Sequence, residues 1–331
     1  MTDTPALLPA VAYIAEITKQ IEAATNRVLI MTTTLHNDCP EIEGLVAACE
    51  AAAARGVTVS LLADSLTYTE IKGSLLNLKR QQLRGVEAMK LARRLKKAGV
   101  QFRWLGRDTS VGFIGRTHTK WTVIDDMVYT FGGVNLDKVS FENTDMMLQL
   151  KDAGLAAWLD DCHQAIIDHD RAHTGMRNRS LDDPNGKWRI LLDGGIPGNS
   201  DIYARATELA RQAVSVTAVS QYCPTGKLMR AMKHCPKHRI YFNRLSSATW
   251  LNRIILSLGL RNHRHNNYKR APYLHAKYIL YTLPDGRKVA LTGSHNFVRE
   301  TGMVGTREIA LETTDPHIIA LLEDFTKNAV A

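Results

Sequence analysis

The stretch from His118 to Asn135, HTKWTVIDDMVYTFGGVN, has a counterpart from His275 to Asn296, HAKYILYTLPDGRKVALTGSHN. Each opens with His-x-Lys, runs through an apolar hairpin and closes on Gly-x-x-Asn. In a strand, residues two apart point to the same face, so each His-x-Lys aims an imidazole and an ammonium at one point. The returning strand brings Asn135 or Asn296 to the same end of the hairpin. Two such half-sites facing each other offer two His, two Lys and two Asn, a set suited to a tetrahedral phosphodiester. One neutral imidazole attacks phosphorus, the other, protonated, donates to the leaving oxygen, and the remaining donors hold the nonbridging oxygens. Imidazole suits both tasks because its ordinary pKa lies near 6.5.

The surrounding sequence repeats as well. Before the first hairpin, Arg27 to Met31 reads as a buried strand, and Ile42, Leu45, Val46 and Cys49 fall at helical spacing. Arg55-Gly56 predicts a left-handed helix end, and Val57 to Ala63 a second strand. Lys72 to Lys97 reads as a basic helix with Ala88, Leu91 and Leu95 on one stripe, and Val100 to Leu105 as a strand. The second half predicts a helix over Ile202–Ala213, a strand over Val214–Val219, a helix over Leu228–Met232 and a strand over Arg239–Leu245. Strands alternating with helices argue for an α/β fold. The polar segment Ala172 to Asn185 is the expected boundary, giving an N-terminal lobe at 1–175 and a C-terminal lobe at 176–331.

Of the 331 residues, 45% are hydrophobic and 23% charged, an ordinary globular balance, and the net charge is +9. Such a surface attracts nucleic acid, anionic headgroups or phosphate esters without choosing among them. The five cysteines are odd in number and lack CxxC spacing, which argues against a disulfide framework and for a reducing cytoplasm. The apolar run Ala6–Ala15 is short and contains Pro9, so it reads as neither a signal nor a membrane span. Any membrane contact is expected to be peripheral, on the inner face. Cys223, His234, Cys235 and His238 fit no zinc spacing, and His169 with His173 reads as a polar helix end; no metal and no cofactor are expected.

The paired motifs resemble the duplicated HxKxxxxD…GSxN signature of the phospholipase D superfamily, most of all that of bacterial cardiolipin synthases. The first copy matches closely: His118, Lys120 and Asp125, then Gly132-Gly133-Val134-Asn135 where Gly-Ser-x-Asn is usual, continuing Asp137, Ser140, Asn143, Asp145. The second has His275, Lys277, Gly293, Ser294 and Asn296, but Thr282 where the Asp belongs and a longer turn in which Asp285 is a candidate stand-in. VSVTAVSQYCP (214–224) is similar to the opening of the second half in cardiolipin synthases. The resemblance implies two α/β/α lobes with mixed sheets related by a pseudo-twofold axis, one cleft between them, and a metal-independent reaction through a phosphohistidine. It implies His118 as nucleophile and His275 as general acid, with the reverse open because the site is nearly symmetric. Asp145 and Glu308 match the family's downstream acid, and a carboxylate on Nδ1–H fixes the tautomer that frees Nε2. Asp125 is expected to be structural.

For partners, the leading expectation is a phospholipid, with phosphatidyl transfer or hydrolysis. A nuclease is second, since the charge fits but aromatic residues are only 7% with no aromatic-basic interleaving. A non-catalytic phosphate binder with a decayed second half is third, resting on Thr282. The loop 261–270 runs into His275, which makes Arg264, Lys269 and Arg270 candidates for binding anionic substrate. The Lys72–Lys97 stretch reads as a solvated helix face or as a contact with anionic membrane. A monomer suffices, because both half-sites lie in one chain.

Overall fold

The computed structural model describes residues 4–65, 67, 78–106, 116–172, 174–244, 266–299 and 305–331, apart from the side chains of 78–84. The first half contributes seven strands, β1 (Ala6–Pro9), β2 (Arg27–Thr32), β3 (Thr58–Asp64), β4 (Gln101–Leu105), β5 (Trp121–Ile124), β6 (Met127–Thr130) and β7 (Met146–Lys151). Its helices are α1 (Ala10–Ala23), α2 (Pro40–Ala54), α3 (Leu78–Lys97), α4 (Lys138–Phe141) and α5 (Ala153–Arg171). The second half contributes β8 (Arg179–Asp182), β9 (Trp188–Gly194), β10 (Ser215–Val219), β11 (Lys237–Tyr241), β12 (Tyr278–Thr282), β13 (Lys288–Gly293) and β14 (Arg307–Thr313). Its helices are α6 (Asp201–Gln212), α7 (Gly226–His234) and α8 (Pro316–Phe325), the last running into a π-helical turn at Thr326–Val330.

The chain forms two mixed seven-stranded sheets, ordered β1-β7-β6-β5-β2-β3-β4 and β11-β10-β12-β13-β14-β9-β8. Read from opposite ends, they share one plan. β2 and β10 lie parallel to β3 and β11 and antiparallel to the hairpin strands β5 and β12. This is the α/β architecture of two similar lobes that the repeat predicts.

Apolar spacing decides the layers. Ile14, Ile17 and Ile21 of α1 lie in one outer core with Ile42, Leu45 and Val46 of α2 and Leu91 and Leu95 of α3. Helices α6 and α7 cover the outer face of the second sheet through Ile202, Leu209, Leu228 and Met232. A central core joins the lobes: Trp121, Met146 and Leu148 of the first sheet share it with Tyr278, Ile309 and Leu311 of the second, and with α5 and α8. Gly56 and Gly99 end α2 and α3 with φ of 89° and 91°, the left-handed geometry glycine allows without strain.

Two local features go beyond the sequence reading. The run Ala6–Ala15 splits at Pro9, which N-caps α1, and the residues before it pair antiparallel with β7 as an edge strand. Proline suits that place because it interrupts the ladder and presets the helix start. The polar boundary segment also holds β8, which hydrogen-bonds to β9 at the sheet edge; its side chains are mostly exposed, so no hydrophobic alternation announced it.

Candidate active site

Both His-x-Lys segments lie just ahead of the first hairpin strand of their sheet. Trp121 opens β5 opposite Met31 near the end of β2, and Tyr278 opens β12 opposite Val219 at the end of β10. The hairpins return through Gly132 and Gly293, where a side chain is impossible: a Cβ there would lie 1.8 Å from the Met146 carbonyl oxygen or 2.1 Å from that of Ile309.

Main-chain hydrogen bonds between the lobes then bring the half-sites together. His118 donates its N–H to the Arg307 carbonyl at 2.9 Å, and Arg307 donates to that of Arg116 at 2.7 Å. On the other side Thr144 donates to the Tyr273 carbonyl at 2.8 Å, and the N–H groups of His275 and Ala276 both reach the Thr144 carbonyl at 3.0 Å. Residue 307 precedes Glu308 and residue 144 precedes Asp145. Each histidine is thereby set beside the carboxylate of the opposite lobe.

The His118 Nδ1 lies 3.1 Å from Glu308 Oε2, and the His275 Nδ1 lies 2.6 Å from Asp145 Oδ2. A carboxylate accepts only, so each Nδ1 carries the proton and each Nε2 keeps its lone pair. The carboxylates are themselves anchored. Asp145 Oδ1 accepts from the N–H groups of Met146 at 2.8 Å and Gly133 at 3.2 Å. Glu308 Oε2 accepts from the Ser294 hydroxyl, whose oxygen accepts from the Ile309 N–H at 3.0 Å.

Both lysines are buried. The Lys120 ammonium donates to Thr33 Oγ1 and to the His118 carbonyl, each at 2.8 Å, and that of Lys277 donates to the His275 carbonyl at 2.6 Å. Burial pulls Lys120 down to about 7, with the Lys277 ammonium adding to the shift, and burial pulls Lys277 down to about 8. Burial also lowers both imidazoles: His118 against the pull of Glu308, and His275 to about 4, where Lys277 adds to burial and Asp145 opposes. Burial pushes both carboxylates up, but the facing imidazoles together with neighbouring charges and hydrogen bonds outweigh it, so Glu308 falls to about 2 and Asp145 is also lowered. Each imidazole feels the lysine of the other lobe, so the four groups share one field. The site is desolvated and holds two ammonium groups beside the two imidazoles, suited to a phosphodiester anion and its transition state.

Asn135 and Asn296 follow the two hairpins, and the side-chain oxygen of each is buried without a hydrogen-bond partner. Asp125 stands apart from these groups, with φ of 51°; its carboxylate accepts from the main-chain N–H groups of Thr25, Asn26 and Arg27 and closes the turn into β2. Among the described residues the second half has no such clasp. Asp285 bonds the N–H and guanidinium of Arg287 within its own exposed turn, so it does not replace the missing Asp. Thr282 instead offers its carbonyl to the Val214 N–H at 2.9 Å.

Of the candidate substrate cations, Lys269 is exposed, and Arg270 is committed to the Ala331 carbonyl oxygen through two hydrogen bonds of 2.9 and 2.7 Å. Arg264 lies outside the described residues, as do His173 and positions 72–77 of the basic stretch. Within that stretch Arg94 pairs with Glu43 and Glu50, and Lys90 with Glu87. No group of three or more His, Cys, Asp or Glu among the described residues is arranged to hold a metal ion. No helix among them is long and apolar enough to cross a membrane.

Two residues that motif reading passes over belong to the site's surroundings. His295, between Ser294 and Asn296, is buried where the first half has Val134; burial holds it down to about 4 against the pull of Glu308, and Nδ1 accepts from the Phe297 N–H. Asp64, at the end of β3, is fully buried and accepts from the Thr117 N–H at 2.7 Å and from Arg116 at 2.9 Å, which fixes the segment leading to His118. The only sequence signal for either was a polar residue in an apolar setting.

Residues 17–166 match the family model of the cardiolipin synthase, phospholipase D-like domain. No curated protein matches the sequence. Among solved structures, the phosphatidylserine synthase of Haemophilus influenzae Rd KW20 superposes with a TM-score of 0.69 at 12% identity, over 98% of this chain and 85% of that one. The polyphosphate kinase of Porphyromonas gingivalis gives 0.61 at 10% identity, over 97% of this chain and 49% of the kinase. A phospholipase D family member from Salmonella typhimurium, Nuc, aligns with 50% of this chain and 95% of its own at 17% identity and a TM-score of 0.36.

Proposed function

We propose that the chain is a member of the phospholipase D superfamily, whose cardiolipin synthase domain model its first lobe matches, and that it transfers or hydrolyses the phosphatidyl group of a phospholipid through a phosphohistidine. The observation that carries this reading is the crossed pair of histidine–carboxylate contacts around two buried lysines. Nε2 of His118, neutral, attacks phosphorus as the P–O bond to the leaving alcohol breaks. His275, protonated, gives its Nε2 proton to that oxygen. An incoming alcohol or water then returns a proton to His275 while its oxygen attacks phosphorus and frees His118.

The shorter His275–Asp145 bond favours this assignment, because a closer carboxylate stabilises the imidazolium the acid must carry. Burial and Lys277 oppose it by holding His275 down to about 4, and the contact geometry outweighs them because bound substrate changes both of those influences. An anionic phosphodiester between the lysines offsets their push on His275 and raises its proton affinity. Lys120, Lys277, Asn135 and Asn296 serve as donors to the nonbridging oxygens.

The choice of lipid is supported by the first lobe's match to a cardiolipin synthase domain. Phosphatidylglycerol vesicles are the test substrate: cardiolipin or phosphatidic acid is expected, with His118→Ala and His275→Ala each losing about 10²- to 10⁴-fold or more. Trapping on labelled lipid is expected to label His275→Ala slowly and His118→Ala not at all. Cleavage of DNA in EDTA with no lipid conversion would overturn the lipid reading and leave the phosphodiester chemistry standing.

A further inference from the structure

Between Glu208 and Asp285 the chain contains no aspartate or glutamate, yet thirteen of its lysines and arginines fall there. That exceeds the net charge of +9, so the rest of the chain is net negative. Apart from the basic stretch Lys72–Lys97 of the first lobe, positive charge concentrates in this part of the second lobe.

Helix α7 organises this charge. Lys227, Arg230 and His234 stand three and four residues apart on one stripe, while Leu228, Met229 and Met232 bury the other. The basic stripe borders a cleft of about 400 Å³, closed on its far side by Arg211 and by Ala210 and Ala213 at the end of α6. No carboxylate lines the cleft. Among the described residues Arg211, Lys227 and Arg230 form no ion pair, although Arg94, Arg103, Arg189 and Arg205 all do. Exposed Lys237, His238 and Arg239 on β11 continue the face, and Val214 adds an exposed apolar side chain beside Ala213.

We propose that the cleft between α6 and α7 binds the phosphate of an anionic lipid headgroup through Arg211, Lys227, Arg230 and His234, seating the second lobe on an anionic bilayer. The choice of lipid rests on the reading of the active site given above. The shape agrees with it: a cleft of this size admits the phosphate of a headgroup. None of the described aromatic rings between 209 and 284 is exposed to stack on a base. Each Lys or Arg held at an anionic surface strengthens binding roughly fivefold.

The test is sedimentation of the full chain with phosphatidylcholine vesicles, with and without phosphatidylglycerol, for the parent and for Arg211→Gln/Lys227→Gln/Arg230→Gln. The variant is expected to bind phosphatidylglycerol vesicles at least about tenfold more weakly. Its hydrolysis of a water-soluble phosphodiester and its circular dichroism are expected to match the parent. Equal vesicle binding by the two proteins overturns the proposal. Loss of inorganic phosphate binding with vesicle binding intact assigns the cleft to free phosphate and also overturns it. Loss of duplex DNA binding with vesicle binding intact overturns it in favour of nucleic acid. If vesicle binding falls as expected but the parent converts no lipid, only the active-site reading fails.

Discussion

The first half-site holds a short carboxylate against bare main chain, and the second holds a longer one against a hydroxyl. Asp145 takes its extra hydrogen bonds from the N–H groups of Gly133 and Met146; Glu308 takes one from the Ser294 side chain. A Cβ at Gly133 would lie 2.7 Å from Asp145 Oδ2 and 2.7 Å from the His275 carbonyl oxygen. Glycine in place of the serine of the second copy therefore goes with the closer contact, 2.6 Å against 3.1 Å. What reads as a lapse in the motif is one half of a matched pair of changes.

The largest test of this asymmetry replaces each carboxylate by its amide. Asp145→Asn and Glu308→Gln each remove the charge that steadies an imidazolium, and both are expected to reduce kcat by about 10²- to 10⁴-fold. Asp145→Asn should lose more, since its partner is the acid that carries the proton. Equal losses, measured on a soluble phosphodiester, would show that the two dyads are functionally interchangeable.

A smaller effect is expected from exchanging the neighbours. Gly133→Ser crowds Asp145 and the His275 carbonyl, which should cost about 1–3 kcal/mol of stability. Ser294→Gly leaves a buried carboxylate oxygen short of a donor and should cost about 1–3 kcal/mol. The double change Gly133→Ser/Asp145→Glu should recover part of the first loss. Urea unfolding of the parent, Gly133→Ser, Asp145→Glu and their double variant closes the cycle, and strict additivity would mean that Gly133 and Asp145 are not coupled.

The smallest contrast lies away from the cleft. Asp125→Ala removes the acceptor for three main-chain N–H groups and should cost about 1–2 kcal/mol, whereas Thr282→Asp should change little, because the Val214 N–H is already satisfied. Hydrogen bonding lowers the Asp125 pKa below its ordinary value despite burial. The unfolded chain therefore binds the proton more readily, and the clasp's contribution, full above the unfolded pKa near 4, is lost as pH falls through the folded value. The parent's extra stability over Asp125→Ala should shrink below pH 4; a gap independent of pH would assign the clasp to packing instead.

The hairpins, the helix stripes and the left-handed glycines were legible from residue order, because the strand period of two and the helix spacing of three and four are local properties. The same locality put His and Lys of each motif on one face. Which carboxylate meets which histidine was not legible. That depends on the bridges Thr117–Arg307 and Thr144–Leu274, formed between residues with no periodic or motif signature. The burial of Lys120 and Lys277, the place of His295 beside Glu308 and the commitment of Arg270 to Ala331 likewise arise only when the lobes dock. Desolvation and charge coupling act through space, so the sequence determined the parts and their facing, and the tertiary structure alone decided their partners and their proton affinities.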